Sequence, residues 1–302
     1  MFPNFPLFTQ ALSIKLKMSK LKLAIQKNGR LSEKSLKLLE ECGIKISNGT
    51  RKLKAVSSNF PLEILFLRDD DIPQYVEQGV ADIGIIGLNE VLEQKKNIAV
   101  VQKLGFAQCR LSLAIPKEET YTGIQYFENK KVATSYPEIL SSYFQENNIN
   151  VQIEKIGGSV EIAPGIGLSD GIFDIISTGS TLLTNGLKEV ETVLESEAVL
   201  ISSENLSNEN QEILKKLLFR INAVKEASES KYILLNAPNE NLEKIINLLP
   251  GMKSPTVLPL AESGWSSIHS VIKEDKFWEV IENLKKEGAQ GILVLEIEKM
   301  IL

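Results

Sequence analysis

A chain of 302 residues, 43% hydrophobic and 24% charged, has the composition of an ordinary globular protein with room for two or three cored domains. Its formal net charge of −5 speaks against a nucleic-acid-binding surface as the main function, and no apolar run reaches transmembrane length. The two cysteines, Cys42 and Cys109, have neither metal-ligand spacing nor a framework of pairs, which suits buried thiols in a reducing cytoplasm.

Residues 1–17 lack the basic start and small-residue cleavage site of a secretory signal. Met18-Ser-Lys-Leu-Lys resembles a natural start, so residues 1–17 read as a poorly ordered N-terminal extension, with a short targeting peptide as the alternative. Leu21–Gln26 is an apolar strand turned by Asn28-Gly-Arg-Leu-Ser32 into a helix with Ser32 as N-cap, its body running from Lys34 to Cys42 and ending at Gly43. Leu62–Leu67 is a second strand, and Pro73 fits the first turn of a helix with Val76 and Val80 on its inner face. Asp82–Gly87 is a buried strand, and a helix follows from Asn89. Continuous apolar strands alternating with helices indicate an α/β layer with a largely parallel sheet.

Arg110–Pro116 crosses from this layer into a second one with the same grammar: strand Lys131–Thr134, helix Pro137–Glu146, strands Val151–Ile156 and Gly171–Ser177. Val193–Ser202 returns to the first layer. Two α/β lobes joined by crossing strands enclose a cleft, where small ligands bind in such folds. The last third reads Lys231–Leu235 strand, Asn239–Leu249 helix, strands Thr256–Leu260 and Ser267–Ile272, helix Lys276–Glu287 and strand Gly291–Ile297. That βαββαβ order is the ferredoxin-like split unit, and it carries no catalytic cluster.

The most informative stretch is Gly171-Ile-Phe-Asp-Ile-Ile-Ser-Thr-Gly-Ser-Thr-Leu182, a buried strand running into a loop of small hydroxyl residues. Ser177, Thr178, Gly179, Ser180 and Thr181 offer amides and hydroxyls with little bulk, which can close around a phosphate. The acid Asp174 beside them points to a sugar hydroxyl or a magnesium ion as a second contact. The alternative is a Ser/Thr-rich turn between elements.

Gln26-Lys-Asn-Gly-Arg-Leu31, Arg68-Asp-Asp-Asp-Ile-Pro73, Ala81-Asp-Ile-Gly-Ile-Ile-Gly87, Cys109-Arg-Leu-Ser-Leu-Ala114, Ala133-Thr-Ser-Tyr-Pro137, Gly158-Ser-Val-Glu-Ile-Ala-Pro164 and Asn185-Gly-Leu-Lys-Glu-Val-Glu191 form an ordered set. Ser230-Lys-Tyr-Ile-Leu-Leu-Asn-Ala-Pro238, Leu249-Pro-Gly251, Ser254-Pro-Thr256 and Ile297-Glu-Lys-Met-Ile301 continue it. From about Lys20 to its end the chain resembles the long form of the ATP phosphoribosyltransferase family, the first enzymes of histidine biosynthesis. The resemblance implies attack of ATP, through N1 of adenine, on C1 of phosphoribosyl pyrophosphate, with pyrophosphate released and Mg2+ accompanying it. It also implies a homohexamer in equilibrium with dimers, feedback inhibition by L-histidine at the C-terminal domain, AMP as a further candidate ligand, and a cytoplasmic location. The fold expected is a two-lobed, periplasmic-binding-protein-like catalytic core plus a C-terminal ferredoxin-like regulatory domain. Lobe I would comprise residues 18–113 and 194–225, lobe II residues 114–193 with the phosphoribosyl-binding loop, and an ACT-like domain residues 226–302.

Transfer at C1 passes through an oxocarbenium-like state that needs cations and N–H donors more than a nucleophilic side chain. The only histidine, His269, lies in the C-terminal part, which excludes Ser-His-Asp and His-metal mechanisms. With the resemblance, Ser177–Thr181 is the candidate for the 5′-phosphate, with Asp170 or Asp174 near the ribose hydroxyls; Asp174 fits equally a structural cap. Glu161 either reaches the cleft or faces solvent, and the family favours the cleft. Lys27, Gly29 and Arg30 lie where a polyphosphate would meet a helix start. Arg68 either contacts substrate or pairs with Asp69, Asp70 or Asp71. Gly87 either admits a ligand close to the backbone or only ends its strand. Arg110 sits at the hinge, and Tyr136 either stacks on a base or packs internally. Ser254 and Thr256 carry over as histidine-binding positions; the Mg2+ ligands are left open. Glu296 stands where many members of the family have proline, which leaves the fold intact and puts the local edge geometry in doubt. The competing readings are a solute-binding protein without chemistry, a different phosphoribosyltransferase, and a catalytically inactive regulatory paralogue.

Overall fold

A computed structural model describes residues 19–47, 53–177, 179–249 and 254–302. The expected extension 1–17, Thr178 and the Pro250–Gly251 part of the C-terminal signatures lie outside the described residues. The chain begins with β1 (Leu21–Gln26), α1 (Arg30–Glu41), β2 (Lys54–Val56), β3 (Leu62–Leu67), α2 (Ile72–Glu77), β4 (Ile83–Gly87), α3 (Leu88–Gln94) and β5 (Ala99–Lys103). A second run holds β6 (Cys109–Pro116), β7 (Lys131–Thr134), α4 (Pro137–Glu146), β8 (Gln152–Lys155), β9 (Gly171–Ile176), α5 (Ser180–Thr184) and β10 (Leu187–Ser196). Then come β11 (Ala198–Ser202), α6 (Asn208–Ser228), β12 (Ser230–Pro238), α7 (Leu242–Leu248), β13 (Thr256–Pro259), β14 (Trp265–Lys273), α8 (Phe277–Lys286) and β15 (Gln290–Glu296).

The first sheet has the order β2-β3-β1-β4-β11-β5, with β1 parallel to β3 and β4 and the outer pairings antiparallel. Its central strands are mostly apolar because helices cover both faces, with Lys22 and Glu63 placed near the strand starts. Leu38 and Leu39 of α1 and Ile213, Leu217 and Ile221 of α6 pack on one side. Ile72 and Val76 of α2 and Val91 of α3 pack on the other. The second sheet, β10-β6-β9-β7-β8, again has a parallel core of β8, β7 and β9. Two connections join the sheets, residues 104–108 between β5 and β6 and Glu197 between β10 and β11, so the core is a two-lobed α/β unit of periplasmic-binding-protein type. The third sheet, β13-β14-β12-β15, is antiparallel and buries Ile233, Leu235 and Ile268 in one core with Ile245 of α7 and Leu284 of α8, as the βαββαβ reading expected.

Three local expectations change. Ser32 is not an N-cap but a buried residue inside α1, which starts two residues earlier behind Gly29 at φ 96°, a backbone that favours glycine. Val80 is 45% exposed, because α2 ends at Glu77 and the turn rotates it off the inner face. Val193–Ser196 remain in the second sheet, paired with β6, and only Ala198–Ser202 enter the first. Helix α6 adds to the expected elements: Ser207 caps it by accepting the Asn210 amide, and Ile213, Leu214, Leu217, Ile221 and Val224 recur at helical spacing.

Candidate active site

Because β1, β3 and β4 run parallel, their C-terminal ends bring Lys27, Arg68 and Gly87 to one edge of the first sheet. The Lys27 amide donates to the Leu67 carbonyl at 2.7 Å, which sets the Lys27–Arg30 turn beside Arg68. Lys27, Gly29 and Arg30 are all exposed there. Arg68 is exposed and pairs with Asp70, Nε and Nη2 each 3.2 Å from a carboxylate oxygen, while Asp69 accepts Gln26 Nε2 at 3.1 Å. A pair so exposed adds little stability and can exchange its carboxylate for another anion.

On the second lobe, β9 ends at the hydroxyl loop. Gly179 has φ 77°, a left-handed turn that a side chain would strain, and buried Leu182 of α5 pins the far side. Ser177, Ser180 and Thr181 are exposed. The Ser177 carbonyl accepts from Arg110 Nη1 at 3.5 Å. Three residues earlier, half-buried Asp174 accepts the amide of the next residue, Ile175, at 2.8 Å, a bond inside β9 rather than at the turn that follows it. Burial, and then the charge of nearby Glu161, push its carboxyl above the usual range. Glu161 and Asp174 therefore share one neighbourhood.

Other expected residues do not join this group. Asp170 lies at the opposite end of β9, where its carboxylate accepts the Lys131 amide at 2.8 Å. The six residues of β9 put it about 20 Å from the loop. It ties β7 to β9 and stands too far from the loop for both to hold one phosphoribosyl group. The missing side chain of Gly87 does not open a ligand approach, because Asn89 Oδ1 occupies the space a Cβ would take. Tyr136 is 9% exposed with its ring in the core of the second lobe, so it does not stack on a base. Arg110 forms a two-point ion pair with Glu189, Nε and Nη2 each 2.5 Å from a carboxylate oxygen. The guanidinium holds the Glu189 carboxyl below its usual range. Thr256 stands on the third sheet, on edge strand β13 opposite His269, and Ser254 lies in the segment just before that strand. The His269 ring nitrogens lie 2.7 Å from Tyr232 Oη and 3.2 Å from Ser267 Oγ.

The sequence reading missed a buried polar network where the lobes meet. The Asn89 amide donates to Ser196 Oγ (3.1 Å), whose hydroxyl donates to Asn89 Oδ1 (2.8 Å). Asn89 Nδ2 reaches Tyr136 Oη (3.3 Å) and Glu90 Oε1 (3.2 Å). Burial pushes the Glu90 carboxyl up, and its bond with the Tyr136 hydroxyl opposes that shift. Nothing in the local pattern marks these residues, since Asn89 and Tyr136 are 47 positions apart and Asn89 and Ser196 are 107 apart. A cavity of about 360 Å³ opens beside the crossing strands, lined by Lys103, Cys109, Arg110, Ser177 and Glu195–Glu197, and reaches the loop through Ser177.

Residues 68–223 match a family model described as ATP phosphoribosyltransferase, and residues 227–299 match one described as the HisG C-terminal domain. The chain is 60% identical to the ATP phosphoribosyltransferase of Phocaeicola vulgatus over 93% of its own length and all of the relative's. It is 58% identical to that of Cytophaga hutchinsonii, over 93% of this chain and 98% of the relative. Among solved structures, the ATP phosphoribosyl transferase (HisG:HisZ) complex of Thermotoga maritima superposes with a TM-score of 0.58 at 29% identity, covering 67% of this chain and 96% of that one.

Proposed function

This chain belongs to the ATP phosphoribosyltransferase family, and from that premise we infer which of its residues carry the reaction. The enzyme transfers the phosphoribosyl group of phosphoribosyl pyrophosphate to ATP in the first step of histidine biosynthesis. The C1–oxygen bond breaks, pyrophosphate leaves with the electron pair, and N1 of adenine bonds to C1. The protein's part is to hold two anionic substrates in line and to stabilise the leaving group.

The Ser177–Thr181 loop takes the ribose 5′-phosphate, its amides and hydroxyls replacing water around the anion. Asp174 and Glu161 face the ribose hydroxyls. These two half-buried carboxylates also fit Mg2+, which keeps several waters and takes one or two carboxylates plus phosphate oxygens; when bound it offsets the pyrophosphate charge. Lys27, the Gly29 amide, Arg30 and Arg68 receive polyphosphate on the facing lobe, with Asp70 released from Arg68. The observation that carries this assignment is the placement of the hydroxyl loop at the end of β9 beside Asp174, in one lobe, and of the basic turn at the parallel strand ends of the other.

The C-terminal module binds L-histidine through Ser254 and Thr256 and lowers activity. The enzyme works in the cytoplasm as a homohexamer in equilibrium with dimers, with AMP competing for the ATP side. No helix among the described residues is long and apolar enough to cross a membrane. The test is an assay with ATP, phosphoribosyl pyrophosphate and magnesium that follows the ultraviolet absorbance of phosphoribosyl-ATP, with and without L-histidine. Product that falls on adding histidine is the expected result. Product insensitive to histidine sinks the feedback assignment, and no product from folded protein favours a binding protein or an inactive paralogue.

A further inference from the structure

Helix α4 starts without a cap of its own. Pro137 opens it, and Tyr136 at the N-cap position makes no side-chain capping bond. The first amides of a helix need acceptors. Here they come from the other lobe. Glu93 of α3 accepts the Glu138 amide through both carboxylate oxygens, each at 3.1 Å, and the Ile139 amide through Oε2 at 3.1 Å. A carboxylate at a helix start also meets the positive end of the helix dipole.

The rest of α3 points the same way. Glu90, three residues before Glu93 and so on the same helix face, bonds the Tyr136 hydroxyl. Lys95, just past the end of α3, pairs with Glu138 at 3.0 Å. On its own lobe, Gln94 Nε2 donates to the Asp70 carbonyl at 2.8 Å, in the turn that carries Arg68. One short helix thus grips the polyphosphate-side turn of lobe I and the first turn of α4 in lobe II. Strand β7 leads into α4 and pairs in parallel with β9, whose end bears the hydroxyl loop.

We propose that Glu93 is a positioning residue of the transferase, a clamp across the lobes that sets the angle at which lobe II presents the Ser177–Thr181 loop to the Lys27–Arg30 turn. The proposal rests on the substrate assignment above, which puts the two substrates on facing lobes. Glu93 touches neither substrate; it raises the fraction of enzyme whose lobes are already set for binding. Apparent affinity scales with that fraction, while the rate from the fully bound complex does not.

Glu93→Ala and Glu93→Gln test this in the full chain, together with wild type. For Glu93→Ala the expected result is a rise of about five- to tenfold in KM for both substrates with kcat held within about twofold. Glu93→Gln, which keeps an amide oxygen as acceptor, recovers part of that loss. Deuterium uptake of the peptide covering residues 137–146, followed by mass spectrometry without substrates, rises in the alanine variant and less in the glutamine variant. Unchanged KM with raised uptake overturns the proposal, since Glu93 then only caps a helix. A parallel fall of kcat and melting temperature with KM intact also overturns it, as a structural defect. An inactive wild type would instead refute the transferase reading, and with it the positioning role; an active wild type with an unaltered alanine variant refutes the clamp alone.

Discussion

Asp174 combines a poor folding environment with a useful chemical one. Burial raises its carboxyl above the value it has in the unfolded chain, so the folded protein binds that proton more tightly. The sign follows: its contribution to stability is best when both states are protonated and is lost as pH climbs from the unfolded value through the raised folded one. Asp174→Asn is therefore expected to raise the melting temperature at about pH 7 and to leave it unchanged near about pH 3, below the unfolded carboxylate value. Differential scanning fluorimetry at the two pH values checks this. On the proposed ribose contact, the same substitution takes away a charged hydrogen-bond acceptor and should lower kcat/KM by about tenfold or more in the phosphoribosyl-ATP assay. A variant that gains no stability at neutral pH would mean the carboxylate is better solvated than its half-buried position indicates. At this scale the sequence marked Asp174 and its loop because acid, glycine and small hydroxyls adjoin in the chain. It misplaced Asp170 because four positions of separation look close on paper and stretch along an extended strand.

Among elements, the packing of α2 on the first sheet depends on a missing side chain. A Cβ on Gly84 in β4 would stand 2.8 Å from Ile72 Cγ2, 3.1 Å from Ile201 Cγ1 and 3.2 Å from Val76 Cγ2. Ile72 and Val76 are the residues by which α2 seats on the sheet, and Ile201 is the neighbouring strand's contribution. Gly84→Ala should cost about 1–3 kcal/mol through overpacking, read as a lower urea midpoint with an unchanged slope. An unchanged midpoint would show that α2 can shift outward freely. Strands such as β1, β3 and β4 were legible because burial on both faces demands runs that are mostly apolar. β10 was not, since exposure on one side gives it Lys188, Glu189, Glu191 and Glu195 among its apolar residues. Its identity comes from its antiparallel partner β6 and from the Arg110–Glu189 pair, which joins residues 79 apart.

For the whole molecule, the third sheet stands apart from the residues assigned to chemistry. Thr256 lies on its edge strand, exposed and opposite His269, in a sheet separate from those that carry the loop and the basic turn. Thr256→Ala is expected to weaken inhibition by L-histidine about tenfold, the effect of losing one hydrogen bond to a charged ligand, with uninhibited kcat and KM within about twofold. The inhibition curve measures it, and an unaltered curve would remove Thr256 from the inhibitor site. Sequence alone determined the architecture of two α/β lobes and a βαββαβ module, the ordered motifs of the transferase family, and the hydroxyl loop with its acid. Each of these is written in consecutive residues, as periodicity, composition or a contiguous signature. Only the tertiary structure decided that Tyr136 and Gly87 serve internal packing, that Arg110 is held by Glu189, and that Asn89, Ser196, Glu90 and Glu93 fasten one lobe to the other. Those roles depend on where distant strands end and which helices meet, and a hydrogen bond spanning 45 or 107 positions leaves no trace in local pattern.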